Sequence, residues 1–285
     1  MPMRIVTKAK EMHDAVRQEK SRGKRIGLVP TMGFLHEGHL SLVRESVQRA
    51  DVTVVSIYVN PAQFGPKEDF REYPRDIRRD TEILEAEGVD FVFSPDDEEI
   101  YPKGYKTYVE VYDLQDKLCG RSRPGHFRGV CTVVLKLFNV IAPDFAYFGQ
   151  KDAQQAIILK RMVQDLNLGV KIEVLPIVRE EDGLALSSRN TYLDKEERKA
   201  ARVLSQSLEK AREMVKNGER DSGHIISRMK EMITQEPRAK IDYVEIVDME
   251  SLNPVTKIEN ESLAALAVFI GKVRLIDNMI LKVKE

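Results

Sequence analysis

Cysteine is scarce in this sequence, and its scarcity excludes one class of protein. Cys119 and Cys131 are the two cysteines among 285 residues. Small secreted domains that depend on disulfides carry several cysteine pairs, whereas disulfides are rare in the reducing cytosol. The composition therefore argues against a disulfide framework and predicts a cytoplasmic protein.

An excess of charge of one sign and long apolar segments are missing as well. The 45 basic and 46 acidic side chains leave a formal net charge of −1, so no overall field draws the chain to nucleic acid or to an anionic membrane, and we expect neither as a partner. Any bound anion must then be held by a local cluster of donors. The longest apolar run, residues 263–270, is far shorter than the ~18 residues of a membrane span. The first residues lack the apolar core of a signal peptide.

What the sequence does contain is an alternation of short apolar runs and amphipathic segments over its first 180 residues. Apolar runs that predict strands lie at 26–29, 52–59, 89–93, 145–148 and 171–178. Segments with helical periodicity lie between them, at 40–50, 74–87, 127–141 and 154–166. Nearly continuous apolar strands are typical of a parallel sheet covered by helices on both faces. The predicted fold is therefore α/β, a Rossmann-like doubly wound parallel sheet, which binds ligands at the carboxyl ends of its strands.

Beyond residue 180 the pattern changes. Two amphipathic helices, at 194–218 and 222–237, precede three apolar strands at 241–248, 263–271 and 273–283, which we expect to pair antiparallel. The sequence thus predicts two domains, a Rossmann-like one over residues 1–180 and a smaller C-terminal α+β domain over residues 181–285.

The segment TMGFLHEGHL, residues 31–40, joins the first predicted strand to the first predicted helix. Gly33 and Gly38 let the backbone come close to a ligand, and a helix start offers free N–H groups and a partial positive charge to an anion. His36 and His39 are three residues apart and can point in the same direction. The segment predicts a phosphate site in which both imidazoles donate to phosphate oxygens.

Other interpretations of the same residues stay open. The pair could be two partly exposed histidines at an ordinary helix start. A zinc site formed by His36, His39 and either cysteine is a further alternative, but the paired cysteines and the H-E-x-x-H spacing of zinc proteins are absent. A dinucleotide site is disfavoured because no G-x-G-x-x-G follows this strand, and the P-loop pattern G-x-x-x-x-G-K-[ST] does not occur there either.

A second segment, FGQKDAQQ at residues 148–155, also joins a predicted strand to a predicted helix. Lys151 would lie at the carboxyl end of that strand, where a phosphate would bind. Asp152 and Gln155 have the spacing of a capping box, which is the structural alternative. That alternative leaves Lys151 and Gly149 unexplained.

A third segment, GLALSSRNTYL at residues 183–193, lies at the predicted junction of the two domains. Asp194 and Glu197 form a capping box, so the long helix should begin near residue 195 and leave residues 187–189 in the preceding loop. The two serines and the arginine of that loop offer hydroxyls and a guanidinium to a triphosphate. An ordinary surface loop is the alternative.

The histidine segment resembles the H-x-G-H signature of the nucleotidyltransferase superfamily, which includes the class I aminoacyl-tRNA synthetases, and the SSRN loop resembles their mobile basic loop in role and order. Five motifs in this order, PTMGxLHxGH, NPxQF, RPGHFxGV, FGxKDxQQ and DGLALSSRN, resemble the pantothenate synthetase family, the pantoate–β-alanine ligases. The resemblance covers residues 25–193 by motif, and the remainder agrees in length and style. Gln150 and Ala153 depart from residues common in the family, at positions where no chemistry is expected. Leu186 stands where Met is common and should pack similarly.

The resemblance implies an ATP-dependent ligase that joins D-pantoate to β-alanine and releases AMP and pyrophosphate, with pantoyl adenylate as the intermediate and Mg²⁺ bound with ATP. It implies that pantoate is bound by Gln63 and Gln155, and β-alanine by Gln63. The implied catalytic residues are His36, His39, Lys151 and Arg189. The implied ATP-binding residues are Met32, Gly33, Phe34, Leu35, His36, Glu37, Gly38, His39, Gly149, Gln150, Lys151, Asp152, Val178, Leu186, Ser187, Ser188 and Arg189. No metal ligand of the protein is implied.

The resemblance also implies a homodimer, and a C-terminal domain that acts as a lid over the substrates of residues 1–180. It leaves open whether the basic segment with Arg121, Arg123, His126 and Arg128 lines the pantoate side, flanks a subunit contact or is a packed loop. One alternative function is another nucleotidyltransferase, which the SSRN loop and the paired glutamines disfavour. A second is a non-catalytic nucleotide sensor, which the intact histidines, lysine and arginine disfavour. A tRNA synthetase fragment would need an anticodon-binding domain and a basic face, and neither is apparent in the sequence.

Overall fold

The computed structural model describes residues 2–66 and 68–283. Within this part of the chain a parallel sheet of six strands is ordered β1-β4-β3-β2-β5-β6. Its strands are β1 Arg4–Val6, β2 Ile26–Thr31, β3 Val52–Ile57, β4 Phe91–Phe93, β5 Phe145–Gly149 and β6 Lys171–Leu175. The helices of the same region are α1 Ala9–Ser21, α2 Glu37–Arg49, α3 Ile77–Ala86, α4 Asp97–Ile100, α5 Cys119–Ser122, α6 His126–Ile141 and α7 Ala153–Asp165.

The predicted doubly wound parallel sheet is confirmed. The chain runs from β2 outward to β3 and β4, and then returns to place β5 on the other side of β2. The strand order therefore reverses between β2 and β5, which is the place where sheets of this kind bind ligands, at the carboxyl ends of the strands. Strand β3 is buried along its whole length, as expected for a strand with helices on both faces.

Some elements differ from the prediction. Strand β1 and helix α1 were not predicted, because both have a weak apolar pattern. Strand β1 buries one of its three residues, and helix α1 is rich in charged side chains. Helix α2 begins at Glu37, three residues before the predicted start, so the histidine segment forms the helix start itself. Helix α3 begins at Ile77 and is capped by Asp76, whose side chain accepts the N–H of Arg79.

The second half of the chain follows the predicted order of two helices and three strands. These are α8 Lys195–Lys216, α9 Ser222–Thr234, β7 Ala239–Val247, β8 Glu261–Ile270 and β9 Val273–Lys282. The strands pair antiparallel in the order β7-β8-β9, as predicted. The capping box of Asp194 and Glu197 starts α8 at the predicted position. The apolar side chains of α8, α9 and β8 form one buried cluster.

The chain groups into two compact units that interleave in sequence. The first comprises residues 1–115, 123–149 and 158–176, and the second comprises residues 116–122, 150–157 and 177–285. The division into domains at residue 180 stays a prediction. In the described part of the chain, no helix has the length and apolar character needed to cross a bilayer.

Candidate active site

The turn after β2 is held in a conformation that few sequences adopt. Gly33 has a φ of +82° and Phe34 a φ of +50°, both in the left-handed region that favours glycine. A Cβ at Gly33 would lie 3.1 Å from Oδ2 of Asp80. The backbone of this turn is therefore packed closely against a charged side chain of α3.

That side chain, the carboxylate of Asp80, is fully buried. It accepts the N–H of Phe34 at 2.6 Å and the N–H of Leu35 at 2.8 Å. Burial raises the pKa of Asp80, while the two backbone N–H bonds act in the opposite direction. Its neighbour Arg79 donates to the carbonyl of Leu35 at 2.9 Å and lies over the ring of Phe34. These two residues hold the turn that leads into the histidines, and sequence reasoning missed both.

The histidines themselves cap α2. Nδ1 of His36 accepts the N–H of Gly38 at 3.2 Å, and Nδ1 of His39 accepts the N–H of His36 at 3.3 Å. The two rings lie 4.0 Å apart between centroids. Since each Nδ1 is an acceptor, the proton of each neutral ring lies on Nε2, which makes Nε2 a donor. The structure thus brings both histidines to the positive end of a helix, as the sequence predicted.

Three other predicted residues of this turn are engaged with the protein. The side chain of Leu35 is buried in the core of the first unit. Its N–H, like that of Phe34, is bonded to Asp80. The carboxylate of Glu37 pairs with Arg44 on the same helix. Their assignment to ATP stays a prediction.

Gln63 lies at the end of a 3-10 turn, Pro61–Gln63, that follows β3. Its side-chain oxygen accepts from Nδ2 of Asn60 at 3.0 Å, and its Nε2 donates to Sδ of Met32 at 3.2 Å. The structure therefore brings together a residue predicted to bind pantoate and one predicted to bind ATP.

Asn60 is the residue that fixes this arrangement. It is 1% exposed, donates to the carbonyl of Gly129 at 3.1 Å, and accepts from the hydroxyl of Tyr101 at 2.8 Å. Its side-chain oxygen also accepts the N–H of Ala62 at 3.2 Å. Sequence reasoning missed this role, although the N-P dipeptide at 60–61 signals a turn.

The basic segment after α5 contacts the same 3-10 turn. Arg123 forms a two-pronged ion pair with Glu68, with distances of 2.8 and 2.6 Å. His126 contacts the carbonyl of Gln63 through Nδ1 at 2.8 Å, and Arg123 contacts its Nε2 at 3.0 Å. The neighbouring guanidinium contributes to lowering the pKa of Glu68, against the effect of burial. These residues support the backbone of Gln63.

In the second unit, Lys151 lies on a 3-10 turn, Gln150–Asp152, that follows the last residue of β5 and leads into α7. Its Nζ lies 3.1 Å from a carboxylate oxygen of Asp152. Apart from its chain neighbours, no described atom lies within 4 Å of the position where a Cβ would be at Gly149. Gln155 is half-buried on α7, while its neighbour Gln154 is buried and bonded to the backbone of Lys117.

The SSRN segment forms a 3-10 turn, Ser188–Tyr192, where the sequence predicted a loop. Ser187 caps this turn and accepts the N–H of Arg189 at 3.3 Å. The N–H of Leu186 donates to the carbonyl of Val178 at 3.0 Å, which brings two predicted ATP-binding residues together. Ser188 is buried.

A network of charges anchors the same segment to α8. Arg198 donates to both oxygens of Glu180, at 2.9 and 2.6 Å, and also to Asp182. Asn190 donates to Glu180 at 2.9 Å and to the carbonyl of Ala185 at 3.0 Å. The Arg198 guanidinium lowers the pKa of Glu180. The predicted phosphate-binding serines thus lie in a segment held from both ends.

Comparison with known proteins gives the family. The family model described as pantoate-beta-alanine ligase matches residues 4–280. The chain belongs to this family.

Two pantothenate synthetases are similar to this chain over nearly its whole length. The pantothenate synthetase of Caldicellulosiruptor bescii is 55% identical over 282 residues, which are 99% of this chain and 100% of that protein. That of Fervidobacterium nodosum is 58% identical over 279 residues, 98% of this chain and 99% of that protein.

Solved structures of the pantoate-beta-alanine ligase family have the same fold. A pantothenate synthetase from Thermus thermophilus superimposes with a TM-score of 0.93 at 43% identity, covering 97% of this chain and 99% of the other. The Francisella tularensis pantoate-beta-alanine ligase, in a complex with beta-gamma ATP and beta-alanine, gives a TM-score of 0.80 at 35% identity, covering 98% and 97%. The predicted family, and with it the predicted class of ATP-dependent ligase, is confirmed.

Proposed function

We propose that this protein condenses D-pantoate with β-alanine to give pantothenate, at the expense of ATP, through a pantoyl-adenylate intermediate. The observation that carries the proposal is the family match over residues 4–280. A carboxylate and an amine do not condense in water, so ATP must convert the carboxylate into a mixed anhydride with a good leaving group.

The first step is attack of a pantoate carboxylate oxygen on the α-phosphorus of ATP. A bond forms between that oxygen and the phosphorus, the bond to the bridging oxygen of the β-phosphate breaks, and pyrophosphate leaves with the electron pair. Catalysis of such a step consists of positioning and charge stabilisation, and requires no covalent nucleophile of the protein.

The residues assigned to this step are those that can meet the negative charge. His36 and His39 would donate through Nε2, the donor atom that their capping bonds select. The N-terminus of α2 adds the partial positive charge of a helix start. Lys151 and Arg189 would neutralise the departing pyrophosphate. Loss of one such preorganised donor typically lowers the rate by ~10²–10³-fold.

The remaining predicted ATP-binding residues would surround the nucleotide mainly with backbone groups. The turn with Gly33 and Gly38 offers close backbone approach, and the segment with Ser187 and Ser188 offers N–H groups and hydroxyls. Asp152 would bind the ribose.

Pantoate and β-alanine are assigned to amide side chains. Gln63 and Gln155 would bond the hydroxyls and the carboxylate of pantoate, because a primary amide both donates and accepts without adding charge beside ATP. Gln63 would also contact β-alanine. In the second step the amine of β-alanine attacks the acyl carbon of the adenylate and a C–N bond forms. The bond between the acyl carbon and the phosphate oxygen breaks, AMP leaves with the electron pair, and the amine proton goes to water or to the adenylate phosphate.

Mg²⁺ would arrive with ATP. Within residues 2–66 and 68–283, no group of three or more His, Cys, Asp or Glu side chains is arranged to hold a metal ion. Mg²⁺ would be bound mainly by phosphate oxygens and water, with few ligands from the protein. It would supply charge neutralisation of the triphosphate. We further propose a cytoplasmic homodimer, in keeping with the composition and the family resemblance.

The test is formation of AMP and pantothenate from ATP, D-pantoate and β-alanine, with each substrate omitted in turn. Lys151→Ala should fold with an unchanged unfolding midpoint, and His39→Ala should fold but lose about 1 kcal/mol because it removes a capping bond of α2. Both should lose ~10²–10³-fold in rate. His13→Ala and Lys160→Ala change exposed side chains of α1 and α7 and are the matched controls. Turnover that does not require pantoate would contradict the proposed reaction and favour another nucleotidyl transfer.

A further inference from the structure

Strand β9 carries two adjacent buried polar residues, Asp277 and Asn278, which the proposed reaction does not use. They are 2% and 3% exposed. Successive side chains of a strand point to opposite faces. Buried polar groups are costly unless they are bonded, so the partners of these two side chains indicate what they hold in place.

The amide of Asn278 clamps the turn that carries Lys151. Its Nδ2 donates to the carbonyl oxygens of Gln150 and Lys151, both at 2.9 Å. Its Oδ1 lies 3.4 Å from Nε2 of Gln150, which donates to it. Both donor hydrogens of one amide are thus spent on two successive carbonyls. A carboxylate of the same shape could form neither bond.

The clamped turn depends on such outside bonds. It is a 3-10 segment of three residues, Gln150–Asp152, and segments this short have few hydrogen bonds of their own. Nζ of Lys151 lies 3.1 Å from a carboxylate oxygen of Asp152. The position of the Lys151 backbone sets the region that this flexible side chain can reach, and a loose backbone would add to the entropy that ordering the ammonium group costs.

The strand itself is firmly anchored at this point. The carboxylate of Asp277 forms a two-pronged ion pair with Arg179, at 2.6 and 2.9 Å, and accepts the N–H of Asn278 at 2.7 Å. Arg179 also donates to the carbonyl of Gly183 at 3.1 Å. Strand β9 is therefore fixed both by its pairing with β8 and by the ion pair between the buried Asp277 and the partly exposed Arg179.

We propose that Asn278 is a positioning residue for adenylation, which acts by holding the backbone of Gln150 and Lys151 so that the lysine ammonium meets the leaving pyrophosphate. The inference rests on the role proposed for Lys151. Asn278 is buried, and we assign it no contact with substrate or with the reacting atoms.

The test is a double-mutant cycle on pantoate-dependent ATP–pyrophosphate exchange, with Asn278→Ala, Lys151→Ala and the double variant. Asn278→Ala should lower the maximal exchange rate by about 10-fold or more, because a displacement of about 1 Å is enough for such a loss, and should leave the KM for pantoate unchanged. In the Lys151→Ala background the same change should cost less than about threefold, since residues that act through one another are not additive.

The control is Asn253→Ala, which removes an exposed asparagine side chain of the same unit and should leave exchange unchanged. If Asn278→Ala does not fold, the cycle is run with Asn278→Ser, which stays polar and uncharged but is too short to bond both carbonyls. Full additivity with Lys151→Ala, or unchanged exchange in the Asn278 variant, would overturn the positioning role. Unchanged exchange in Lys151→Ala alone would instead remove the role proposed for that lysine, and the positioning role with it.

Discussion

Gly129 in helix α6 gives a sharp test of how the turn around Gln63 is supported. A Cβ built on Gly129 would lie 2.2 Å from the carbonyl oxygen of Ala62 and 2.6 Å from the backbone N of Gln63, whereas ordinary contact begins at 3.4 Å. The obstructing atoms belong to the backbone of the 3-10 turn, so no side-chain rotation can relieve the overlap.

Two effects of Gly129→Ala oppose each other. Alanine favours a helix interior by about 1 kcal/mol over glycine. Overpacking of a well-packed site costs typically about 1–3 kcal/mol, and here the turn must move by about 1 Å, a displacement that can cost about 10²-fold in rate. We therefore expect a net loss of stability, and a higher KM for pantoate or a lower rate, because Gln63 moves with the turn.

The assay combines urea unfolding with steady-state kinetics at varied pantoate. Gly169→Ala is the control, since Gly169 has no positive φ and, apart from its chain neighbours, no described atom within 4 Å of a built Cβ. A Gly129→Ala protein that is as stable as the parent, with unchanged kinetics for pantoate, would refute the reasoning.

Three further predictions follow from single contacts. Asp80→Asn replaces an acceptor of two backbone N–H bonds, so it should lose about 1.5–3 kcal/mol of unfolding free energy and slow adenylation; an unaltered rate would contradict its role at the histidine turn. Glu180→Gln should lose about 1 kcal/mol at pH 7. Arg198 lowers the pKa of Glu180 from 4.5, so that stabilisation is present above pH 4.5 and is lost as pH falls through the lowered pKa of the folded state. The unfolding free energies of the two proteins, measured against pH, should therefore converge in acid. A difference that stays constant with pH would contradict the role of the ion pair. Gln63→Ala should weaken pantoate more than ATP, measured by separate KM values; equal losses would count against pantoate contact.

Much of the fold was predictable because its signals are local. The apolar runs of β2, β3 and β5 are continuous in sequence. The capping box that marks the start of α8 lies in four consecutive residues, from Asp194 to Glu197. Strand β1 and helix α1 were not predicted because their apolar pattern is weak. Helix α1 buries only three apolar side chains, those of Met12, Ala15 and Val16.

The same distinction holds for the candidate site. His36, His39 and Lys151 could be proposed from the sequence because strand-to-helix turns and their residue types point to anion binding. Asn60, Asp80 and Asn278 were missed because their hydrogen-bond partners lie far away in sequence. Asn60 bonds Gly129, Asp80 bonds Leu35, and Asn278 bonds Gln150. A single sequence gives no signal for the bond between Asp80 and Leu35, which are 45 residues apart.

The adenylate intermediate is the central claim, and pantoate-dependent exchange of labelled pyrophosphate into ATP tests it most directly. The reaction contains Mg²⁺, ATP, pyrophosphate and D-pantoate, without β-alanine. We predict exchange that requires pantoate and falls by ~10²–10³-fold in His39→Ala. Absence of exchange in a protein that binds ATP, or exchange that does not depend on pantoate, would contradict the account.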